Sequence, residues 1–191
     1  RHVGVDVLDE RLQRHLRRRF LHVDLRVDLR GDLALDPLAL ARREQLRHGA
    51  NQIKIMAGGG VASPTDPIDG TQYSLEELTA ICEETTAANT YAMAHAYSPR
   101  SITRAVQCGV RTIEHGNLLD EASAKVMKQH GAFLVPTLAT YAVLGDEGKR
   151  LAWSDEMLAK LDRVKDAGTQ AIAIAKAAGV PIGFGTDLLG S

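Results

Sequence analysis

Four polar side chains that could bind a cation or move a proton fall in otherwise apolar, strand-like segments. Lys54 lies within IKIM, His95 and His115 lie near the ends of two later segments, and Asp187 ends the last. Taken singly, such a His is usually a hydrogen-bonded core residue and such an Asp is usually a helix cap. Taken together, an ammonium, two imidazoles and a carboxylate are costly to bury unless they share a common charge. The pattern therefore favours convergence of the four side chains on one shared charge.

From about Arg42 onward, apolar runs of strand length alternate with amphipathic stretches of helix length. Nearly continuous apolar strands separated by helices predict a parallel sheet covered on both faces. This pattern leaves open a doubly wound sheet or a barrel. Strands are expected at 52–57, 91–96, 112–116, 132–137 and 181–187.

Helix boundaries are indicated by capping residues. Ser74 with Glu77 three residues later matches a capping box, and Gly109 is placed to end a helix over 99–108. A more irregular segment is expected to carry Tyr141 and Trp153. Further helices are expected at 120–130, through Met157, Leu158, Leu161 and Val164, and at 169–178.

Residues 1–41 differ in composition from the rest, being dominated by Arg, Leu and Asp with no sustained period. We therefore predict two parts, an aberrant or poorly ordered segment over 1–41 and a regular domain over 42–191. A reading-frame error and an ordinary charged arm both explain the first part. A nucleic-acid site at Arg17, Arg18 and Arg19 is the weaker interpretation, because nearby Asp residues neutralise the patch.

The whole composition is that of a globular domain, with 45% hydrophobic residues, 25% charged residues and a net charge of -1. It offers no general attraction to nucleic acid or to anionic membranes. Cys82 and Cys108 form no metal-binding spacing and are expected to be reduced core residues. No apolar run approaches the roughly 20 residues of a membrane helix. We predict a cytoplasmic protein with no nucleic-acid or membrane partner, although an export signal upstream is left open.

Four motifs, in order IKIMAGGG, AMAHAYS, TIEHGN and GFGTD, resemble strands four, five, six and eight of the amidohydrolase superfamily. The branch that they resemble contains imidazolonepropionase-like proteins and Xaa-Pro dipeptidases. The resemblance covers about residues 42–191. It implies the C-terminal half of a (β/α)₈ barrel, about strands four to eight with their helices.

The resemblance also implies a site for two divalent metal ions, expected to be Zn²⁺. Lys54 would be carboxylated and bridge the ions, because a free ammonium has only donors whereas a carbamate offers two anionic oxygens. His95 and His115 would bind one ion and Asp187 the other. Asp187 would also act as general base and then general acid. Tyr97 is placed like a tyrosine that contacts a substrate carboxylate, and a tyrosine capping the barrel rim is an equal alternative.

Other polar residues are weaker candidates. Alternation along its strand predicts that Glu114 points to the side opposite His115, as a structural partner rather than a ligand. Gly58, Gly59 and Gly60 follow a strand, but no helix opens directly after them, so a dinucleotide site is a weak interpretation. Close approach of the backbone to metals or substrate explains these glycines better.

The sequence departs from the family in one respect: the HxH motif that supplies two further ligands occurs nowhere in it. We interpret this as truncation and expect the fragment to be inactive alone. The predicted activity is metal-dependent hydrolysis of an amide or peptide C–N bond through a metal-activated hydroxide, with a dipeptide or other small molecule as substrate. The alternatives are a cyclic-amide hydrolase or deaminase of the same superfamily, and a non-catalytic gene fragment. The sequence does not indicate the oligomeric state.

Overall fold

The computed structural model describes residues 37–150 and 152–188. The predicted segment 1–41 therefore lies outside the described residues except at its end, and so do Arg17, Arg18 and Arg19. The first described helix begins at Pro37, so it spans the boundary that composition suggested.

Helices and strands alternate along the described ranges. In chain order the elements are α1 (Pro37–Arg47), β1 (Ile53–Met56), α2 (Leu75–Ala87), β2 (Ala92–Ala96), α3 (Pro99–Gln107), β3 (Thr112–His115), α4 (Glu121–Gln129), β4 (Phe133–Val135), α5 (Leu138–Arg150), α6 (Asp155–Lys165) and α7 (Ala167–Ala177). None of these helices is both long and apolar enough to cross a membrane.

The strands form one parallel sheet in the order β1, β2, β3, β4. Strands that follow one another in both sequence and space are the rule in a (β/α)₈ barrel, whereas a doubly wound sheet reverses its order at a switch point. The structure is therefore part of a barrel, as the motifs implied. Within the described residues, β1 pairs on one side only and forms one edge of the sheet. The other edge is formed by the chain around Ile182.

The first four predicted strands are confirmed, each shorter than expected by one to three residues. The prediction of a fifth strand over 181–187 is wrong in extent, because only Ile182 forms a parallel bridge with Leu134. Gly183 and Gly185 add no side chain to hold the segment on β4. The segment is nevertheless attached, since the Gly183 amide donates to the Leu134 carbonyl at 2.8 Å.

Alternation along the strands separates two faces of the sheet. Ile53, Ile55, Ala94, Ile113 and Leu134 point toward the helices and are all at most 6% exposed. This core fixes the register of the sheet, because a slip of one residue would expose it. The opposite face, which is the interior side of the barrel, carries Lys54, Met56, Met93, His95, Thr112, Glu114, Phe133 and Val135.

The helix caps lie where the sequence predicts them. Ser74 accepts a hydrogen bond from the Glu77 amide at 3.1 Å, and Glu77 accepts one from the Ser74 amide at 2.6 Å. Gly109 follows α3 with a φ of +106°, a conformation that favours glycine. The capping box holds the end of the long loop that leads from β1 to α2.

The segment expected to be irregular around Tyr141 and Trp153 is instead largely α5. Gly145 and Gly148 lower its helix propensity, but Tyr141 on the same helix is only 1% exposed. Burial of an aromatic side chain outweighs about 1 kcal/mol of propensity per glycine. Packing of Tyr141 therefore stabilises α5, a helix that helix propensity alone did not predict.

The two cysteines are free thiols, as predicted, and their surroundings differ. Cys82 is buried in the core, and burial together with the neighbouring Cys108 raises the pKa of its thiol to about 12. Cys108 is half-buried. At pH 8 a thiol with that pKa is about one part in ten thousand thiolate, the reactive form. We expect a thiol reagent to label Cys108 in the folded protein long before Cys82. Two thiols reacting at equal rates before denaturant is added would contradict this prediction.

Candidate metal centre

The predicted site residues start from neighbouring strands of the sheet. Lys54 on β1 pairs with Met93, and His95 on β2 pairs with Glu114 on β3. Residues in register across parallel strands share a face, so Lys54, His95 and Glu114 all project from the interior face. This placement corrects the expectation that Glu114 points away from the site.

His115 reaches the site by a different route. Alternation alone would send it toward the helices, opposite Glu114. Its φ of +76° and that of Gly116 at +62° turn the chain sharply at the end of β3. The His115 ring consequently lies with its centroid 4.5 Å from that of His95. Both imidazoles are buried, at 5% and 6% exposure.

Each imidazole uses one ring nitrogen in a hydrogen bond. His95 Nε2 lies 3.0 Å from the Gly59 carbonyl oxygen. Because a carbonyl only accepts, Nε2 carries the proton, and the lone pair of a neutral His95 is on Nδ1. His115 Nδ1 lies 2.7 Å from the Thr137 hydroxyl. If His115 donates there, its lone pair is on Nε2, and the two rings use opposite nitrogens.

The surroundings keep His115 neutral. Burial lowers the pKa of His115 well below its ordinary value, and the positive charges of His95 and Lys54 lower it further. The neutral imidazole is the form that binds a metal ion. The Lys54 amine therefore lies close enough for its charge to act on the His115 imidazole.

Lys54 is half-buried, and its charge is opposed by its surroundings. Burial lowers the pKa of its amine, while the carboxylates of Glu114 and Asp187 act in the opposite direction. Burial raises the pKa of Glu114 in turn, against a hydrogen bond from Thr112 and the charge of Lys54. The lowered pKa favours the uncharged amine, which is the form that reacts with CO₂.

Asp187 approaches the site from the far edge of the sheet. It is exposed, has a φ of +51°, and follows the short bridge at Ile182. Its carboxylate acts on the pKa values of Lys54, Glu114 and two tyrosines, so it lies within electrostatic range of all four. The structure thus brings the four predicted ligands to one region.

Tyr97 continues β2 past His95 and is 2% exposed. Its ring centroid lies 4.6 Å from that of His95 and 5.4 Å from that of His115. The hydroxyl of Tyr141 donates to the Tyr97 hydroxyl at 3.0 Å. Tyr141, on α5, is the residue of this cluster that the sequence did not single out. A tyrosine soon after the apolar run that forms β4 was the available signal.

The loop between β1 and α2 covers this cluster. Gly59 must be a glycine, because a Cβ there would lie 2.0 Å from the Pro67 carbonyl oxygen. Close backbone approach thus explains this glycine, and the approach is to Pro67. Lys160 on α6 donates to the carbonyls of Ser63 and Asp66, both at 3.0 Å. Val61 and Ile68 from the same loop pack with both tyrosines in one buried cluster.

The other two histidines of the described ranges, His48 and His130, lie apart from the centre. Both are exposed, and His130 is the C-cap of α4. Across the described ranges, no three His, Cys, Asp or Glu side chains come close enough to hold a metal ion by themselves. A centre here therefore needs the modified Lys54 or ligands beyond these residues.

The chain belongs to the amidohydrolase family, which matches residues 34–191. A parallel barrel segment with polar side chains at the C-terminal ends of its strands is the arrangement of such enzymes. The described residues accordingly form part of the barrel of this family.

Particular relatives are similar over part of their length. Ochratoxinase of Aspergillus niger is 37% identical over 148 residues, which cover 77% of this chain and 30% of the relative. A prolidase solved in complex with N-methylphosphonate-L-proline is 53% identical with a TM-score of 0.77, covering 84% of this chain and 44% of the prolidase. A Xaa-Pro dipeptidase with bound methionine in its active site is 28% identical with a TM-score of 0.72, covering 79% and 37%. The chain spans less than half of each relative.

Proposed function

We propose that this chain supplies the C-terminal half of a binuclear metal site that hydrolyses the amide bond of Xaa-Pro dipeptides. The observation that carries the proposal is the pair of buried imidazoles, 4.5 Å apart, each hydrogen-bonded through one ring nitrogen. Metal-binding histidines almost always use their second nitrogen in this way, which fixes the ring and its tautomer. A pair of core histidines with no metal to bind would not need hydrogen bonds at opposite ring nitrogens.

Lys54 completes the proposed ligand set after modification. Its amine lies in surroundings that disfavour the ammonium, so it can add CO₂ and become a carbamate. The carbamate turns a cation into an anion with two oxygens. Glu114 shares the interior face and stays beside Lys54 as a hydrogen-bonded neighbour of Thr112.

Zn²⁺ is the expected metal, since imidazole nitrogens and carboxylate oxygens are its usual ligands. When bound, a pair of such ions polarises the scissile carbonyl and lowers the pKa of the attacking water. Asp187 accepts the proton that this water loses and passes it to the nitrogen of the leaving proline. Exposure of Asp187 leaves its carboxylate accessible to both the water and the leaving nitrogen.

Tyr97 is the proposed contact for the substrate carboxylate. Its ring packs beside both histidines, and the charge of Asp187 acts on its hydroxyl. The similarity to a prolidase solved with a proline derivative supports a dipeptide ending in proline. The similarity to ochratoxinase favours a second candidate, the hydrolysis of another amide by the same residues.

We test the proposal by joining the N-terminal part of the similar prolidase, which this chain does not cover, to residues 34–191, the range of the family match. The joined part is chosen to supply the HxH ligands that are expected of the family and that this sequence lacks. Loaded with Zn²⁺, it is expected to release proline from Xaa-Pro dipeptides, whereas the chain alone releases none. Proline release is measured with the metal content of each protein.

Two outcomes would contradict the proposal. A folded fusion that holds two ions per chain but cleaves only cyclic amides, or deaminates its substrate, would replace the dipeptidase function with the alternative. Catalysis by the chain alone with stoichiometric metal would overturn the assignment of half a site. A fused protein that carries both His95→Ala and His115→Ala serves as the inactive reference.

A further inference from the structure

The hydroxyl groups of Tyr97 and Tyr141 form a buried pair with a defined direction. Tyr141 donates to Tyr97 at 3.0 Å, and both residues are at most 2% exposed. A phenol oxygen can accept such a bond and has one hydrogen of its own to donate. Tyr97 therefore accepts from Tyr141 and keeps its own hydrogen for another partner.

The Tyr97 hydrogen must point elsewhere. Within the part of the chain that the structure describes, no hydrogen bond takes it to an acceptor, and the Tyr97 ring packs against the rings of His95 and His115. A buried donor without an acceptor costs about 1–3 kcal/mol, so the arrangement favours a ligand that supplies one. The bond that Tyr97 accepts from Tyr141 turns the Tyr97 hydrogen away from Tyr141.

Thr137 lies between His115 and Tyr141. It follows β4, and its hydroxyl lies 2.7 Å from His115 Nδ1. Burial raises the pKa of Tyr141 far above its ordinary value, and the neighbouring Thr137 hydroxyl acts against this rise. Thr137 therefore connects the surroundings of His115 with Tyr141, whose hydroxyl donates to Tyr97.

We propose that Tyr141 is a positioning residue for substrate specificity: its hydroxyl turns the Tyr97 hydroxyl toward the carboxylate of the substrate. The inference rests on the proposed dipeptidase function. Polarisation along a chain of hydrogen bonds strengthens the terminal donor. Tyr141 need not touch the substrate, and it lies on α5 rather than at the end of a strand.

The fused protein with Tyr141→Phe keeps the ring and loses only the donor. We compare hydrolysis of a Xaa-Pro dipeptide with that of its C-terminal amide, which lacks the carboxylate charge. Tyr141→Phe is expected to raise KM for the acid about 3- to 10-fold, the effect of one hydrogen bond, with kcat nearly unchanged. The amide should be affected less than twofold. Tyr97→Phe should produce the same selectivity with a larger loss.

Three controls make the result decisive. Tyr97→Phe/Tyr141→Phe should be no worse than Tyr97→Phe, because the two hydroxyls act in series. Tyr91→Phe removes an exposed hydroxyl and should change nothing. Tyr141→Phe should also weaken the binding of N-methylphosphonate-L-proline, measured by calorimetry, by the same factor by which it raises KM for the acid.

Failure of the inference and failure of the function give different results. An active parent fusion in which Tyr141→Phe affects acid and amide equally, or additively with Tyr97→Phe, overturns the role of Tyr141. A parent fusion that hydrolyses neither dipeptide nor amide overturns the proposed function and this inference with it. Melting temperature within a few degrees of the parent excludes a simple loss of fold.

Discussion

Replacing Asp187 with Asn in the fused protein is expected to lower kcat by about 10³-fold, within the usual contribution of a general acid–base group. Asn has a similar shape but cannot accept the proton of the attacking water or return it to the leaving nitrogen. Proline release under saturating dipeptide measures kcat. Metal analysis on the same sample separates a lost proton acceptor from a lost ligand.

A matched control uses Asp162, an exposed carboxylate on α6. Asp162→Asn makes the same chemical change away from the site and should leave kcat within twofold. Asp187→Asn retaining more than a tenth of the parent kcat with full metal content would show that another group moves the proton. Glu114, on the interior face, would then be the next candidate.

Replacing Lys54 with Arg is expected to abolish carbamate formation. A guanidinium stays protonated at all accessible pH values, whereas the Lys54 amine has a lowered pKa and reacts as the neutral form. Mutation of a residue that only hydrogen-bonds a metal ligand already lowers metal affinity or activity about 10- to 100-fold. Loss of the bridging ligand itself should therefore reduce activity more than about 100-fold. Carbon-13 NMR after incubation with labelled bicarbonate should show a carbamate only in the parent.

Lys125 on α4 provides the control, because it is exposed. Lys125→Arg should keep the carbamate signal, the two bound ions and the activity. A parent protein that binds one ion firmly and shows no carbamate would refute the bridging role of Lys54. Removal of CO₂ during loading with metal should lower activity in the parent and leave Lys54→Arg unchanged.

The parts of the fold that the sequence predicted are those fixed by local chemistry. The apolar runs around Ile55, Ala94 and Ile113 predicted their strands, because each must be buried on the helical face. Ser74 and Glu77 predicted the start of α2 through a bond pattern that depends only on residues three apart. The order of strands was not fixed by these patterns, and the family motifs supplied it.

The parts that were not predicted depend on tertiary contacts or on backbone angles. The sequence placed His115 at the site but not by the correct route, since the positive φ that turns its ring there is not evident in a sequence. The expectation for Glu114 failed because Glu114 pairs in register with His95 and shares its face. Tyr141 entered the site through α5, whose glycines argued against a helix. The four ligand candidates remain predictions, supported by their common location.

The exposed ring of Phe184 has a consequence for handling the protein. It is 93% exposed and lies just beyond Ile182, which bridges to Leu134 at one edge of the sheet. An open apolar side chain beside a sheet edge favours contact between copies of the chain. Refolding at low protein concentration would therefore favour the monomeric form.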